Sequence, residues 1–301
     1  MASAPVEPPS RRIRVEVEPG SSVELLVSEP TEGSAGARSR GTVLVVHGLR
    51  GSARSRDSLR TATEALRQGW AVARLNLRNC DGTYVLASTL YNAGQSDDIG
   101  HVLAALEREE LPRPFGVICS SLGANQALLH AAEAGADCAA NAIIAVNPPV
   151  DLHAVNHAIC RPANALYYLR YTAALCEFLG RVRAHRPVAG PPARWWQLRG
   201  VRRFDELFTV PDAGHPDADT YYEAASSGPK LGAITVPSLV LSAADDPIVR
   251  LESFEPYRTP SGHSVQFEHP SSGGHGGYWQ QGHPRPWSPQ RALEFLEDRL
   301  G

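Results

Sequence analysis

Three short segments carry side chains that together could do nucleophilic chemistry. Ser121 lies in Cys119-Ser120-Ser121-Leu122-Gly123, after the apolar run 115–118 and before a helix-forming run, 125–134. Small residues flank it on both sides. A small-x-Ser-x-Gly pattern suits a strained strand-to-helix turn, where backbone packs closely around an exposed hydroxyl. A serine hydroxyl is a weak nucleophile at neutral pH; it needs a base, and the base needs an orienting carboxylate. Asp245-Asp246-Pro247 follows the apolar run 238–242, and His275 sits in Gly273-Gly274-His275-Gly276-Gly277. Each segment alone has an ordinary explanation: a serine turn, an acid pair before a helix, a glycine loop in a chain with eleven histidines. Their order, and the position of each after a strand-like run, assigns the roles. Ser121 is the expected nucleophile, His275 the base and Asp246 the orienting acid, with Asp245 free to cap the next helix.

An acyl-transfer site also needs donors for an oxyanion. The run 42–46 ends in His47-Gly48-Leu49. Backbone amides suffice for the task, and those of Leu49 and Leu122 are the expected pair. His47 is read as ordering this loop rather than moving protons, and is kept as a candidate substrate contact. Leu166, Tyr167, Trp195, Trp196 and Phe208 are candidate lining residues of an apolar acyl pocket. Ordinary helix packing is the alternative for each.

The elements that must position these groups are legible as patterns. Segments 12–17 and 22–27 alternate apolar with polar residues around Pro19-Gly20, which predicts an antiparallel hairpin. Run 42–46 is continuously β-branched and apolar, as a strand buried on both faces is, and 70–75, 115–118, 142–146, 238–242 and 264–268 also read as strands. Helix-forming stretches 57–68, 97–108, 125–134 and 289–300 separate or close them. Strand and helix in alternation predict a mostly parallel sheet flanked by helices. The rhythm stops at Asn147-Pro148-Pro149 and resumes near Leu231. Between them lie helix-like pieces over 163–183, a proline-rich bend at 187–192, and an aromatic-acidic stretch over 204–222. The expected architecture is an α/β core in two parts, 11–146 and 232–301, with a helical cap over 147–231 and a disordered leader over 1–10.

Composition removes several classes of function. At 301 residues and 43% hydrophobic, the chain can bury a full core. The net charge is −3 and no basic stripe stands out, so nucleic acid is not an expected partner. Residues 1–9 lack the basic and apolar regions of a secretion signal, and no apolar run reaches membrane-spanning length. The five cysteines are odd in number and unpaired in spacing, as free thiols of a cytoplasmic protein would be. His263, His269 and His275 recur evenly but lack carboxylate or cysteine company, so no metal and no other cofactor is expected. Arg50, Arg54, Arg56 and Arg60 read as a solvated face.

With these pieces in order, the chain resembles the YheT-like branch of the α/β-hydrolases, a group related to the abhydrolase-domain lipases of animals. The resemblance runs from about Thr42 to the C-terminal helix. It is carried by His47-Gly48-Leu49-Arg50-Gly51-Ser52, Gly69-Trp70, the 74–80 segment Arg-Leu-Asn-Leu-Arg-Asn-Cys, Tyr91-Asn92-Ala93-Gly94 running to Asp98, and Ser121-Leu122-Gly123-Ala124-Asn125. Further on it is carried by Arg161-Pro162-Ala163-Asn164, Phe204-Asp205-Glu206, Tyr221-Tyr222, Ala243-Ala244-Asp245-Asp246-Pro247 and Gly273-Gly274-His275-Gly276-Gly277-Tyr278. The family shows glycine where this chain has Cys119, and histidine where it has Asn92. The resemblance implies a Ser121–His275–Asp246 triad and hydrolysis of a small-molecule carboxylic ester. Two other readings stay open: an acyltransferase or cyclase using the same acyl-enzyme, and a ligand-binding scaffold without turnover.

Overall fold

The protein is described by a computed structural model covering residues 5–30, 39–192, 194, 198, 200–276, 278 and 286–301. The alternating segments form a hairpin of β1 (Arg11–Glu18) and β2 (Ser21–Ser28), antiparallel to each other. In β1 the apolar positions Ile13, Val15 and Val17 turn inward while Arg14 and Glu16 between them stay in water. The remaining predicted strands become β3 (Thr42–Val46), β4 (Ala71–Asn76), β5 (Phe115–Ser120), β6 (Ala142–Val146), β7 (Ser238–Leu241) and β8 (Val265–Glu268), all parallel. The sheet order is β1-β2-β4-β3-β5-β6-β7-β8, with β2 antiparallel to β4.

Helices cover both faces. Ala62 and Ala65 of α1 (Arg56–Arg67) share an apolar cluster with Leu293 and Leu296 of α9 (Trp287–Leu300) and with Val43, Val72 and Ile144 of the sheet. On the other face, α2 (Asp97–Arg108) and α3 (Ser121–Ala134) bury Val102, Leu106, Ala127 and Leu128 against Leu44, Leu75 and Val117. Asp98 in the first turn of α2 takes two hydrogen bonds, 2.7 and 2.6 Å, from the Arg78 guanidinium beyond β4. That bidentate pair ties the helix to the sheet end.

Between β6 and β7 the chain leaves the sheet for a run of helices. These are α4 (Leu152–Ile159), α5 (Ala165–Arg183), α6 (Val201–Phe204), a π-helical turn (Asp205–Thr209), α7 (Val210–Ala213) and α8 (Ala218–Ala225). From β3 the chain moves outward to β4 and then returns to the other side as β5. The strand order therefore reverses between β3 and β5. The crevice at such a reversal, beyond the carboxyl ends of the strands, is where open α/β sheets place their ligands. Both the His47 loop and Ser121 leave the sheet there.

Candidate active site

Ser121 follows β5 directly and adopts φ +49°, a backbone conformation that L side chains rarely take. Such strain persists where the surrounding structure fixes it. Two glycines do the fixing. A Cβ on Gly123 would sit 2.4 Å from the His47 carbonyl oxygen, and one on Gly48 would sit 2.7 Å from the Ser121 Cβ. Only residues without a Cβ let the His47 loop and the start of α3 approach this closely. Leu49, the residue after Gly48, lines the same two cavities as Ser121. Leu122 is the second residue of α3, where helix amides lack partners within the helix.

His275 reaches Ser121 from the loop after β8: its Nε2 lies 3.0 Å from the serine Oγ. On the ring's other side, Nδ1 lies 2.7 Å from Asp246 Oδ2. The carboxylate can only accept, so Nδ1 carries the proton and Nε2 is left to accept one from the serine. Asp246 is 3% exposed, and its Oδ1 accepts the amides of Ile248 (2.8 Å) and Val249 (3.0 Å). Asp245 holds the histidine loop, its Oδ1 accepting the Gly273 and Gly274 amides at 2.8 and 2.7 Å. From the opposite side, Asn147 Nδ2 donates to the Gly274 carbonyl at 2.9 Å, and Asn147 Oδ1 accepts the Tyr278 hydroxyl.

Two cavities meet at Ser121 and His275. The first holds about 870 Å³ of empty space, open solvent at its mouth included. It runs beneath the inserted helices and is mostly apolar, with Leu122, Leu152, Ile159, Leu175, Phe178 and Val249 in its wall. The second, about 1120 Å³ counted the same way, is an open cleft bordered by Arg50, Tyr167, Arg170 and Tyr171. The arrangement can take a proton from Ser121, present its oxygen to an acyl carbon, and accommodate an apolar chain on one side and a leaving group on the other.

Residues 41–281 match the family model for the α/β-hydrolase fold. The chain is 30% identical to YheT of Escherichia coli, described as a candidate esterase, over 95% of this chain and 84% of YheT. The chain belongs to the YheT-like α/β-hydrolases. This hydrolase is also 27% identical to a monoacylglycerol lipase of Saccharomyces cerevisiae, over 85% of its own length and 58% of the lipase. Among solved structures, an esterase of Pyrococcus furiosus has the same fold at a TM-score of 0.64 and 17% identity, covering 97% of this chain and 93% of that one.

The YheT-like hydrolase places the other expected site residues unevenly. His47 borders the open cleft but is buried and not free for a substrate. Its Nδ1 donates to the Gly48 carbonyl at 2.8 Å and its Nε2 accepts the Leu77 amide at 3.2 Å. Burial lowers its pKa to about 4, and a second ring proton would face the Leu77 N–H. Leu166 is a correction: it is 77% exposed in the first turn of α5. The stripe of α5 that faces the site is Tyr167, Tyr171, Leu175 and Phe178, at helical spacing, and Leu166 lies off it. Phe208 is a second correction. It is buried among Leu90, Leu179, Val182 and Phe204, and packs the insertion rather than lining a cavity. Trp195 and Trp196 lie outside the described residues.

The family's elbow glycine is replaced without loss of the turn, because Cys119 points into the core. Its thiol donates to the Ile144 carbonyl at 3.2 Å, and burial pushes its pKa up. Asn92 lines the apolar cavity and closes a local turn, its Oδ1 accepting the Gly94 amide at 2.9 Å. The arginine run divides. Arg54 pairs with Glu7 and Asp81, Arg60 with Asp57, and Arg50 borders the open cleft. Among the described residues no cluster of histidine, cysteine and carboxylates could hold a metal, and no helix is long and apolar enough to cross a membrane. Sequence reasoning missed Asn147 and the clamp made by Asp245; the Asn-Pro-Pro break and the doubled aspartate were their visible traces.

Proposed function

We propose that this chain is a serine hydrolase of small-molecule carboxylic esters that works through an acyl-enzyme. The observation that carries the reading is Ser121 Oγ on a strained turn, 3.0 Å from a histidine oriented by a buried carboxylate, opening onto an apolar cavity. In the first step His275 Nε2 takes the Ser121 proton as Oγ bonds to the ester carbonyl carbon. The Leu49 and Leu122 amides receive the developing oxyanion. As the tetrahedral intermediate collapses, the carbon–oxygen bond to the alcohol breaks and His275 returns the proton to that alcohol. Water, deprotonated by the same nitrogen, then releases the acid and restores the serine. Asp246 keeps the imidazole in the Nδ1–H tautomer and stabilises the imidazolium. No step calls on a metal or organic cofactor. The names of the relatives, a candidate esterase and a monoacylglycerol lipase, fit this chemistry. Free thiols at all five cysteines fit a reducing compartment, and we place the enzyme in the cytoplasm.

The experiment is turnover of a p-nitrophenyl ester series, short to long acyl chain, by the wild type and Ser121→Ala, with fluorophosphonate labelling alongside. Turnover and labelling that both vanish in Ser121→Ala support the reading. Neither in the wild type would sink it in favour of a ligand-binding scaffold. Labelling without hydrolysis would point to acyl transfer onto another acceptor.

A further inference from the structure

The segment that carries one proposed oxyanion donor is a tight turn with a strained residue at its corner. The Gly51 amide donates to the Gly48 carbonyl at 2.9 Å, closing a four-residue turn around Leu49 and Arg50. Arg50 has φ +65° and Leu49 does not have a positive φ, so the turn is type II. Type II turns favour glycine at this third position, and an arginine persists there only where its surroundings fix it. His47 fixes one end, its Nδ1 donating to the same Gly48 carbonyl at 2.8 Å. The Leu49 N–H, the proposed donor, has no acceptor among the described residues. The middle peptide is held from outside the turn: the Arg50 N–H donates to the Tyr91 hydroxyl at 3.3 Å.

Tyr91 is 6% exposed, and its ring meets Phe178 of α5 edge-on at 4.7 Å. Phenylalanine would fill that space without taking a hydroxyl out of water. Among the described residues the hydroxyl has one hydrogen-bond partner, the Arg50 amide. Burial pushes its pKa up, so it stays protonated and neutral wherever the enzyme works. Without this acceptor the Arg50 N–H would be left unpaired in the type II form. The middle peptide would then turn over toward the type I form, in which arginine takes its ordinary negative φ. The Leu49 amide belongs to the same turn and would lose its fixed aim, and oxyanion donors act because they are aimed in advance.

We propose that Tyr91 is a positioning residue for the oxyanion: its hydroxyl, by accepting the Arg50 amide, holds the 48–51 turn in the form that aims the Leu49 N–H at the developing charge. The inference rests on the reading that Ser121 attacks an ester with Leu49 as an oxyanion donor, and it adds to that machinery a residue outside the triad.

The test is steady-state hydrolysis of the p-nitrophenyl ester turned over fastest, by the full-length wild type, Tyr91→Phe, Arg50→Gly and the two combined. Tyr91→Phe is expected to lower kcat about tenfold with KM held within about twofold, a smaller loss than the roughly 10²-fold for removing a whole oxyanion donor. Fluorophosphonate labelling of Ser121 should slow in parallel, because the phosphonyl oxygen meets the same donors. The pH dependence of kcat/KM should keep its wild-type midpoint, since His275 is untouched. Glycine takes the type II corner without strain, so Arg50→Gly stabilises the turn that Tyr91→Phe loosens. Added to Arg50→Gly, Tyr91→Phe should therefore cost less than about twofold, whereas a merely structural tyrosine would cost the same in both backgrounds. The proposal is overturned by a loss that persists undiminished with Arg50→Gly, by a loss confined to KM, or by a displaced pH midpoint. It is also overturned if Tyr91→Phe keeps kcat and labelling within about twofold of the wild type. Each of those outcomes leaves the hydrolase reading standing, because the wild type still turns over ester and labels at Ser121. A wild type that does neither overturns both.

Discussion

The strand-end loops and the inserted helices each bury a carboxylate, and they hold it with different donors. Asp246, after β7, meets two backbone amides and an imidazole N–H. Asp205, in the insertion, meets two side-chain hydroxyls. Amides belong to the chain's own path and cannot turn away, whereas hydroxyls rotate and can be shared with a ligand. The comparison separates two ways of holding a buried acid. The strand-end loops fix the residues proposed to do chemistry with backbone amides, and the insertion holds its acid with side-chain hydroxyls.

The strongest way to break that comparison is Asp246→Asn, which keeps the shape of the loop but removes the charge and favours the wrong imidazole tautomer. An about 10⁴-fold fall in kcat on p-nitrophenyl esters is expected. A loss below about tenfold would mean that the backbone-held loop, not the carboxylate, orients His275.

Gly48→Ala probes the approach that fixes the serine. The new methyl would lie 2.7 Å from the Ser121 Cβ and must displace the loop that carries the Leu49 amide. Ångström-scale misplacement of a reacting group costs on the order of 10²-fold, expected here in both kcat/KM and the fluorophosphonate labelling rate. An unchanged labelling rate would show that the close approach is dispensable.

Asp245→Ala sharpens the strand-end side. It removes both amide contacts to the glycine loop and leaves the Asn147 contact in place. A loss of roughly tenfold is expected, falling on kcat with KM retained, as for a residue that positions His275 without touching substrate.

The smallest expected effect is on stability, and it has opposite signs in the two regions. The folded-state pKa of His47 is depressed from 6.5 to about 4, so between those values the unfolded chain binds more protons. Its contribution is complete above about pH 6.5 and is lost as pH falls toward 4. The folded-state pKa of Asp205 is raised from 3.8 to about 6, so there the folded chain binds more protons, and stability falls as pH rises through that window. In the wild type the two slopes oppose each other. Denaturant melts from pH 4 to 6.5 should show stability rising with pH in Asp205→Asn and falling in His47→Gln. Each change is expected to be on the order of 1 kcal/mol. Parallel slopes in both variants would show that neither buried group sets the acid response.

How far the site could be read from the sequence differs by region for a physical reason. Ser121, Asp246 and His275 each follow a strand, and parallel strands end on one edge of the sheet, so chain order alone places them near one another. The glycines at 48 and 123 carried the same message, because close backbone contact leaves no room for a side chain. The first aspartate of the pair was misjudged. Asp245 holds the His275 loop, 28 residues away, where a cap on the next helix was the alternative offered. Leu166 and Phe208 were misplaced because helical periodicity gives a face without naming what the face meets. Tyr171, Leu175 and Phe178 turn toward the cavity on the same helix that exposes Leu166.

By itself, then, the amino-acid sequence determined the strand-and-helix alternation, the strained serine turn and the order of the three groups. These follow from local periodicity, from side-chain size and from the rule that parallel strands share an end. Tertiary structure alone decided which face of each inserted helix borders the cavity. It also decided that Asp205 would border the cavity with its carboxyl held by Thr209 and Tyr222. Those outcomes depend on helices packing against one another across long separations in sequence, where no local pattern specifies the partner.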